Sequence, residues 1–220
     1  MLDQTRDRPD TQAQSADTCY DLVVVGAGIA GLNVLYAAMD YLPKGASVLL
    51  IDQKPRAGGM WNTAYDYVRL HQPHPMFTVG DMAWDWDKPR AYLAARDEVQ
   101  AHLARALGPV AAHAALETAF GQTVASCVEV QTPDGPRAEL LCHPNGDAAS
   151  PRRIRARLAV HAPGLNYQEP DPLRLSSDQV VSIQPGDLSE SFAAHPTAPL
   201  YVVGGGKTGM DTVLVALRQN

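Results

Sequence analysis

The sequence predicts an α/β protein built on a parallel sheet that carries a small antiparallel meander, followed by the first strand, turn and helix of a second unit of the same kind. Three observations predict it. Two apolar runs, "YDLVVV" and "LYVV", each lead through Gly-x-Gly-x-x-Gly into a helix-like stretch, the layout of a Rossmann-like dinucleotide turn. The run "ASVLLID" is apolar throughout, as in a strand buried on both faces of a parallel sheet. Three strand-like pieces between Gln122 and Val160 are joined by the turn signals "TPDGP" and "PNGD", which reads as a meander.

In chain order, residues 1–18 are polar and lack the apolar core of a signal peptide, so a disordered tail is expected. The first domain is placed at 19–170, with a strand from Tyr20 to Val25 and a helix from about Ala30 to Leu42. Pro43 and Gly45 separate that helix from the second strand. From Gln53 to Pro89 the chain is rich in Gly, Pro, His, Trp and Tyr with little periodicity, a long irregular segment of the kind that usually carries function. Apolar residues at Tyr92, Leu93, Val99, Leu103 and Leu107 predict a helix over "KPRAYLAARDEVQAHLARAL", ending at Gly108-Pro109. Strands follow at Gln122 to Gln131, Arg137 to His143 and Arg152 to Val160, the last running on to Pro163-Gly164. A Pro-rich linker is placed at 171–198 and the second unit at 199–220.

Composition narrows the function. An apolar share of 45% and a charged share of 19% are those of a globular protein. A formal net charge of -6 without a useful Lys/Arg run argues against a nucleic-acid surface. The cluster Arg152, Arg153, Arg155 and Arg157 reads as the outer face of a strand. Cys19, Cys127 and Cys142 lack C-x-x-C spacing and are odd in number, so no disulfide framework or metal site is expected. They read as reduced packing cysteines of a cytoplasmic protein. No apolar run is long enough for a membrane span.

The first fingerprint is Gly26-x-Gly28-x-x-Gly31. Gly26 permits the tight turn, Gly28 lets backbone approach a pyrophosphate, and Gly31 lets the helix pack close to the sheet. The helix N-terminus then offers free N–H groups to phosphate. Asp52 ends the second strand, placed to accept hydrogen bonds from a ribose diol. The second fingerprint is Gly204-x-Gly206-x-x-Gly209 and contains Gly-Lys-Thr. A P-loop would need Gly where Tyr201 stands, so the shorter dinucleotide spacing is the better reading. Lys207 sits in the first helical turn, where a cation opposes the dipole; it reads as a candidate for a cofactor phosphate or as a solvated surface lysine. Asp211 is expected to cap or pair locally.

These features together, with Gly58-Gly59-x-Trp61 after the acid and a strand ending in Ala-x-Gly at Gly164, resemble the flavin-containing monooxygenase-like branch of FAD/NAD(P)H oxidoreductases with two dinucleotide-binding domains. The resemblance covers nearly all of residues 20–220. It implies that Gly26, Gly28, Ala30, Gly31 and Asp52 hold the ADP part of FAD, that Gly58, Gly59 and Trp61 lie along the flavin, and that Gly164 is a further cofactor-binding residue. It implies NAD(P)H at Gly204, Gly206, Lys207 and Gly209, with oxygen insertion into a small organic substrate as the activity. Many such enzymes carry Asn near the flavin where this chain has "YDYVRLHQPH"; His71 stands in that place, a candidate donor or general acid–base. No F-x-G-x-x-x-H motif lies between the fingerprints, which weakens the assignment to a Baeyer–Villiger enzyme or to a standard flavin-containing monooxygenase. Trp61, Trp84, Trp86, Tyr65 and Tyr67 are candidates to line a flavin or substrate pocket, or to pack.

The chain reads as the N-terminal part of a larger enzyme: a fragment, a truncated gene, or one chain of a split protein completed by a second. The alternative is a dinucleotide-binding module without independent redox turnover. A reductase of the thioredoxin-reductase type would need a redox-active C-x-x-C, which the sequence lacks.

Overall fold

The structure is a computed structural model and describes residues 19–165 and 171–219; the expected tail at 1–18 lies outside them. Strand β1 (Cys19–Val25) leads into helix α1 (Ile29–Ala38) and strand β2 (Ser47–Asp52). Helices α2 (Arg96–Arg105) and α3 (Leu107–His113) precede strands β3 (Ala115–Phe120), β4 (Gln122–Thr132), β5 (Gly135–Pro144) and β6 (Arg152–His161). Two helices close the chain, α4 (Leu188–Ala194) and α5 (Lys207–Gln219).

One six-stranded sheet runs in the order β3-β2-β1-β6-β5-β4. Its first four strands are parallel, and β5 and β4 extend it antiparallel. The meander is thus part of the same sheet, and its third strand doubles as the neighbour of β1, with Val23 opposite Ala159. Alternation along the inner strands explains their apolar runs. Leu22, Val24, Val48 and Leu50 face a core shared with Leu32 and Leu35 of α1 and Val99, Leu103 and Val110 of α2 and α3. Val23, Val25, Leu49 and Ile51 face a second core with Leu140, Cys142 and Ile154. Residues of β5 reach that face because the meander curls over the sheet, bringing β4 against β2. Among the described residues no helix is long and apolar enough to cross a membrane.

Five expectations change. The edge strand β3 is a missed element, pairing with β2 from Ser47 opposite Ala115 to Asp52 opposite Phe120. The predicted helix from Lys88 begins only at Arg96, because Leu70 N–H donates to Ala94 O (2.9 Å) and Arg96 N–H to Val68 O (3.1 Å), holding the approach to α2 as a bridge to the irregular segment. The Glu98 carboxylate then accepts from Ala95 N–H at 2.7 Å and fixes the start. Gly108-Pro109 opens α3 instead of ending a helix; a proline in the first turn lacks only an N–H that would have no intrahelical partner. The run Leu200–Val203 forms no strand, and Tyr201 and Val203 are exposed. α1 also stops at Ala38, short of Leu42.

The arginine cluster does occupy the outer part of β6. Arg153 and Arg155 pair with Glu139 at 3.5 and 3.1 Å, and Arg157 with Asp21 at 3.4 Å. Of the three free cysteines only Cys142 packs inside; Cys19 and Cys127 are exposed.

Candidate functional site

The chain leaves β1 toward β2 on one side and returns as β6 on the other, so the carboxyl ends of β1 and β6 frame a topological switch point, where open α/β sheets bind ligands. Three backbone segments meet there. At the first, Gly26 takes φ 108°, and a Cβ on it would lie 2.1 Å from Ala162 O, at the end of β6. Its N–H donates to Ile51 O at 2.7 Å, while Ala162 N–H donates to Val25 O at 2.7 Å. The second segment is the Gly58-Gly59 loop, tied to the turn by Gly58 N–H donating to Ala27 O at 2.9 Å. A Cβ on Gly59 would stand 2.7 Å from the Gly28 Cα. The third, Ala162-Pro163-Gly164, forms the other wall, with Gly164 exposed.

Helix α1 starts at Ile29 without a side-chain cap and without an acidic residue in its first turn. Its N-terminal N–H groups therefore donate to no side-chain cap, and its positive dipole end meets no carboxylate of its own first turn. Ala30 is exposed in that turn. A Cβ on Gly31 would come 1.8 Å from Gly26 O, which fixes glycine there for the close packing of helix on turn.

Asp52 is buried, 8% exposed. Its Oδ2 accepts from Ala27 N–H at 2.5 Å and its Oδ1 from Lys54 N–H at 2.6 Å. The acid expected to face a ribose thus also braces the glycine turn. Each carboxylate oxygen keeps further acceptor capacity.

Trp61 is half-buried in a 3-10 turn at Gly59–Asn62. Its carbonyl accepts from Gln100 Nε2 at 2.6 Å, and its ring meets Phe77 edge-on at 5.7 Å. The glycine segments, Asp52 and Trp61 are therefore brought together. His71 is not tied to them: it is exposed on a bend.

Trp84 and Trp86, which the sequence leaves as pocket lining or packing, stack on each other at 4.5 Å. The outer face of Trp84 carries the His102 ring at 4.0 Å, and Lys88 Nζ sits 4.3 Å from the Trp86 centroid. Both indoles are filled structural members of one stack. Edges of this cluster, with His74, Pro75, Thr78, Asp81 and Met82, line a surface cavity of about 390 Å³. Tyr65 and Tyr67 bind α5. Tyr65 OH donates to Asp211 Oδ2 at 2.8 Å, and Tyr67 OH meets Thr212 Oγ1 at 2.9 Å. Burial first, then the Asp211 carboxylate, pushes the Tyr65 phenol up to about 12.

The second turn repeats the first. Gly204 takes φ 128° where Gly26 takes 108°, and a Cβ on Gly209 would meet Gly204 O at 2.4 Å, as one on Gly31 meets Gly26 O. Even the next neighbour corresponds, Val202 Cγ1 for Val24 Cγ1. Lys207 pairs with Asp211 one turn along α5, so the local pairing expected of Asp211 is with this lysine.

Comparison with known proteins agrees with this fold. Residues 24–84 match the family model of the NAD(P)-binding Rossmann-like domain. The flavin-containing monooxygenase from Stenotrophomonas maltophilia superposes with a TM-score of 0.53 at 22% identity, over 70% of this chain and 42% of that one. Over the matched residues the chain has the fold of a flavin-containing monooxygenase. OTEMO, solved in complex with FAD and NADP, aligns with a TM-score of 0.57 at 19% identity over 90% of this chain and 37% of that one. An oxidized steroid monooxygenase bound to NADP gives 0.53 at 23% identity, over 70% and 28%. An uncharacterized protein of Mycobacterium tuberculosis is 40% identical over 75 residues, 33% of this chain and 13% of that protein. The chain therefore spans less than half the length of each of these proteins.

Two parts of this arrangement escape sequence reasoning. The link from Tyr65 and Tyr67 to α5 joins residues 146 and 145 positions apart, with no local signal. The stack of His102 on Trp84 has none either, because it joins α2 to the irregular segment before it.

Proposed function

We propose that this chain is the FAD-binding part of a NAD(P)H-dependent oxidoreductase that oxidises a small organic substrate in monooxygenase fashion. The observation that carries the proposal is the middle glycine of each turn. Gly28 has φ -83°, open to any residue, and a Cβ there would make only an ordinary 3.5 Å contact. At Gly206 a Cβ would meet no atom within 4 Å. The fold demands glycine at the first and third positions and gives no reason for it at the second. Close approach of a diphosphate to the backbone does.

The residues present fit the cofactor. Gly26, Gly28, Ala30 and Gly31 at the uncapped start of α1 would receive the diphosphate, and Asp52, at the end of β2, the adenosine ribose. Gly58, Gly59 and Trp61 would lie along the isoalloxazine, with Gly164 opposite. Gly204, Gly206, Lys207 and Gly209 would hold NAD(P)H, Lys207 exchanging Asp211 for a phosphate. FAD, when bound, supplies the centre that accepts hydride from the nicotinamide and delivers electrons to dioxygen. His71, in the place where related enzymes carry Asn, would hold or donate a proton beside it. The FAD and NADP in the OTEMO complex support this reading. The three free thiols suit a cytoplasmic setting.

A second reading has its own observation. On α5, Met210 is 59%, Leu214 51% and Leu217 71% exposed, an apolar face that further strands or a second chain would cover. On that reading the chain is a dinucleotide-binding module that turns over only when completed.

The test is the visible spectrum of the purified chain, followed by release and mass identification of any bound cofactor. Flavin bands with FAD released are expected. A protein that stays colourless when FAD is added refutes FAD binding by this chain.

A further inference from the structure

Helix α5 carries the second glycine turn, yet apolar burial does not hold it in place. Among its described side chains only Thr212 is buried, at 8% exposure. What meets α4 and α5 is a run of three consecutive residues, each with its own partner. Tyr65 OH donates to Asp211 Oδ2 at 2.8 Å, and Ser189 Oγ of α4 donates to Asp66 Oδ2 at 2.8 Å. Thr212 Oγ1 gives its proton to Thr208 O at 2.9 Å, so Tyr67 OH is the donor in the 2.9 Å bond to Thr212. The two phenol rings lie 4.5 Å apart and brace one another.

The other end of this run is anchored in the first unit. Arg96 Nη1 donates to Ala64 O at 3.2 Å, and the bonds of Val68 and Leu70 to Arg96 and Ala94 fasten the segment to the start of α2. Upstream it continues directly from the 3-10 turn after Gly58-Gly59. A single stretch of backbone thus runs from the first glycine pair to the residues that grip α5.

We propose that Tyr65-Asp66-Tyr67 is a strap that sets the second glycine turn against the first, and that Tyr65 and Tyr67 are positioning residues for transfer between the two dinucleotides. The strap stands on geometry alone; its role in transfer rests on the function proposed above.

Two measurements on the full chain test it. Hydrogen exchange needs no cofactor. Tyr65→Phe/Tyr67→Phe, which keeps both rings, and Thr212→Val should each speed exchange of the α5 amides, about tenfold in the double variant from two lost hydrogen bonds. Amides of β1 and α1 should be unchanged, and Thr212→Ser, which keeps the hydroxyl, should behave as the parent. Unchanged α5 exchange in the double variant overturns the strap.

The second measurement follows bleaching of bound FAD by saturating NAD(P)H. The double variant should bind FAD within about twofold of the parent and photoreduce normally, yet bleach about tenfold more slowly or worse, with Thr212→Ser at the parent rate. Equal bleaching in parent and double variant, or none in the parent, overturns the transfer role. If the parent binds no FAD, the proposed function fails, and exchange still decides the strap.

Discussion

Acid should weaken this fold well before its carboxylates titrate, and the cause is one histidine. His102, on α2, is 1% exposed with its ring flat against Trp84. Thr78 Oγ1 gives its proton to Met82 O at 2.7 Å, so in its 3.1 Å contact with His102 Nε2 it accepts. The neutral Nε2–H tautomer follows, and Nδ1 has no partner among the described residues. Burial first, then the Arg105 guanidinium, with His74 adding and Asp85 opposing, brings His102 down to about 4 from 6.5. The unfolded chain therefore binds this proton more readily than the folded one. Stability is fully present above about pH 6.5 and falls as pH drops toward 4. Between pH 7.5 and 5 the loss is about 2 kcal/mol, approaching about 3 kcal/mol below pH 4. Urea unfolding at the two pH values, in the parent and in His102→Phe, measures it. The window stops at pH 5 because Asp21 and Glu98 are held below their ordinary values, and protonating them costs stability only at lower pH. If parent and variant lose stability equally across this window, His102 is not buried neutral and the reasoning fails.

Three further outcomes are expected. Leu49→Ala empties a fully buried site on the second face of the sheet and should cost about 2–5 kcal/mol in denaturant unfolding. Asp52→Asn leaves one of two backbone donors facing an amide NH2 in place of a carboxylate oxygen, which should cost about 1–3 kcal/mol; a thermal melt no lower than the parent's would show that the turn does not lean on this acid. Tyr65 should ionise late. Because its phenol is raised to about 12, its contribution to stability is present below about pH 10 and lost as pH rises toward 12, and a late tyrosinate absorbance step should disappear in Tyr65→Phe.

Where local chemistry decides structure, the sequence is legible. Strands β1 and β2 announce themselves because burial on both faces leaves no polar position in Leu22–Val25 or Val48–Ile51, and each glycine turn because a backbone clash forbids any other residue at Gly31 and Gly209. Strand β3 is not legible: "ALETAF" carries Glu117 and Thr118, and only pairing with β2 at the sheet edge makes it a strand. The late start of α2 is set by bonds between residues 68–70 and 94–96, which no helical periodicity can reveal. For Trp84 and Trp86 the sequence leaves lining and packing both open, because aromatic residues in an irregular segment serve either use. Their faces were filled by His102, from a helix further along the chain, and by Lys88, whose role the spacing alone does not disclose.

The two glycine turns sort fold from function most sharply. A methyl group at Gly31 or Gly209 runs into the carbonyl that closes its own turn, at 1.8 and 2.4 Å; neither backbone oxygen can move without opening the turn. Gly31→Ala should therefore cost about 3 kcal/mol or more whatever the protein binds. Gly28→Ala meets only a 3.5 Å contact at a φ that alanine adopts freely, so its thermal midpoint should stay within about 2 °C of the parent, or rise slightly as the unfolded chain loses freedom. If a diphosphate lies against this backbone, the same methyl group stands in its way, and FAD affinity should drop about tenfold or more. A Gly28→Ala protein that is as stable as the parent and binds FAD as well would remove the reason for placing the cofactor here. One that is stable and fails to bind would show that this glycine serves a molecule other than the protein itself.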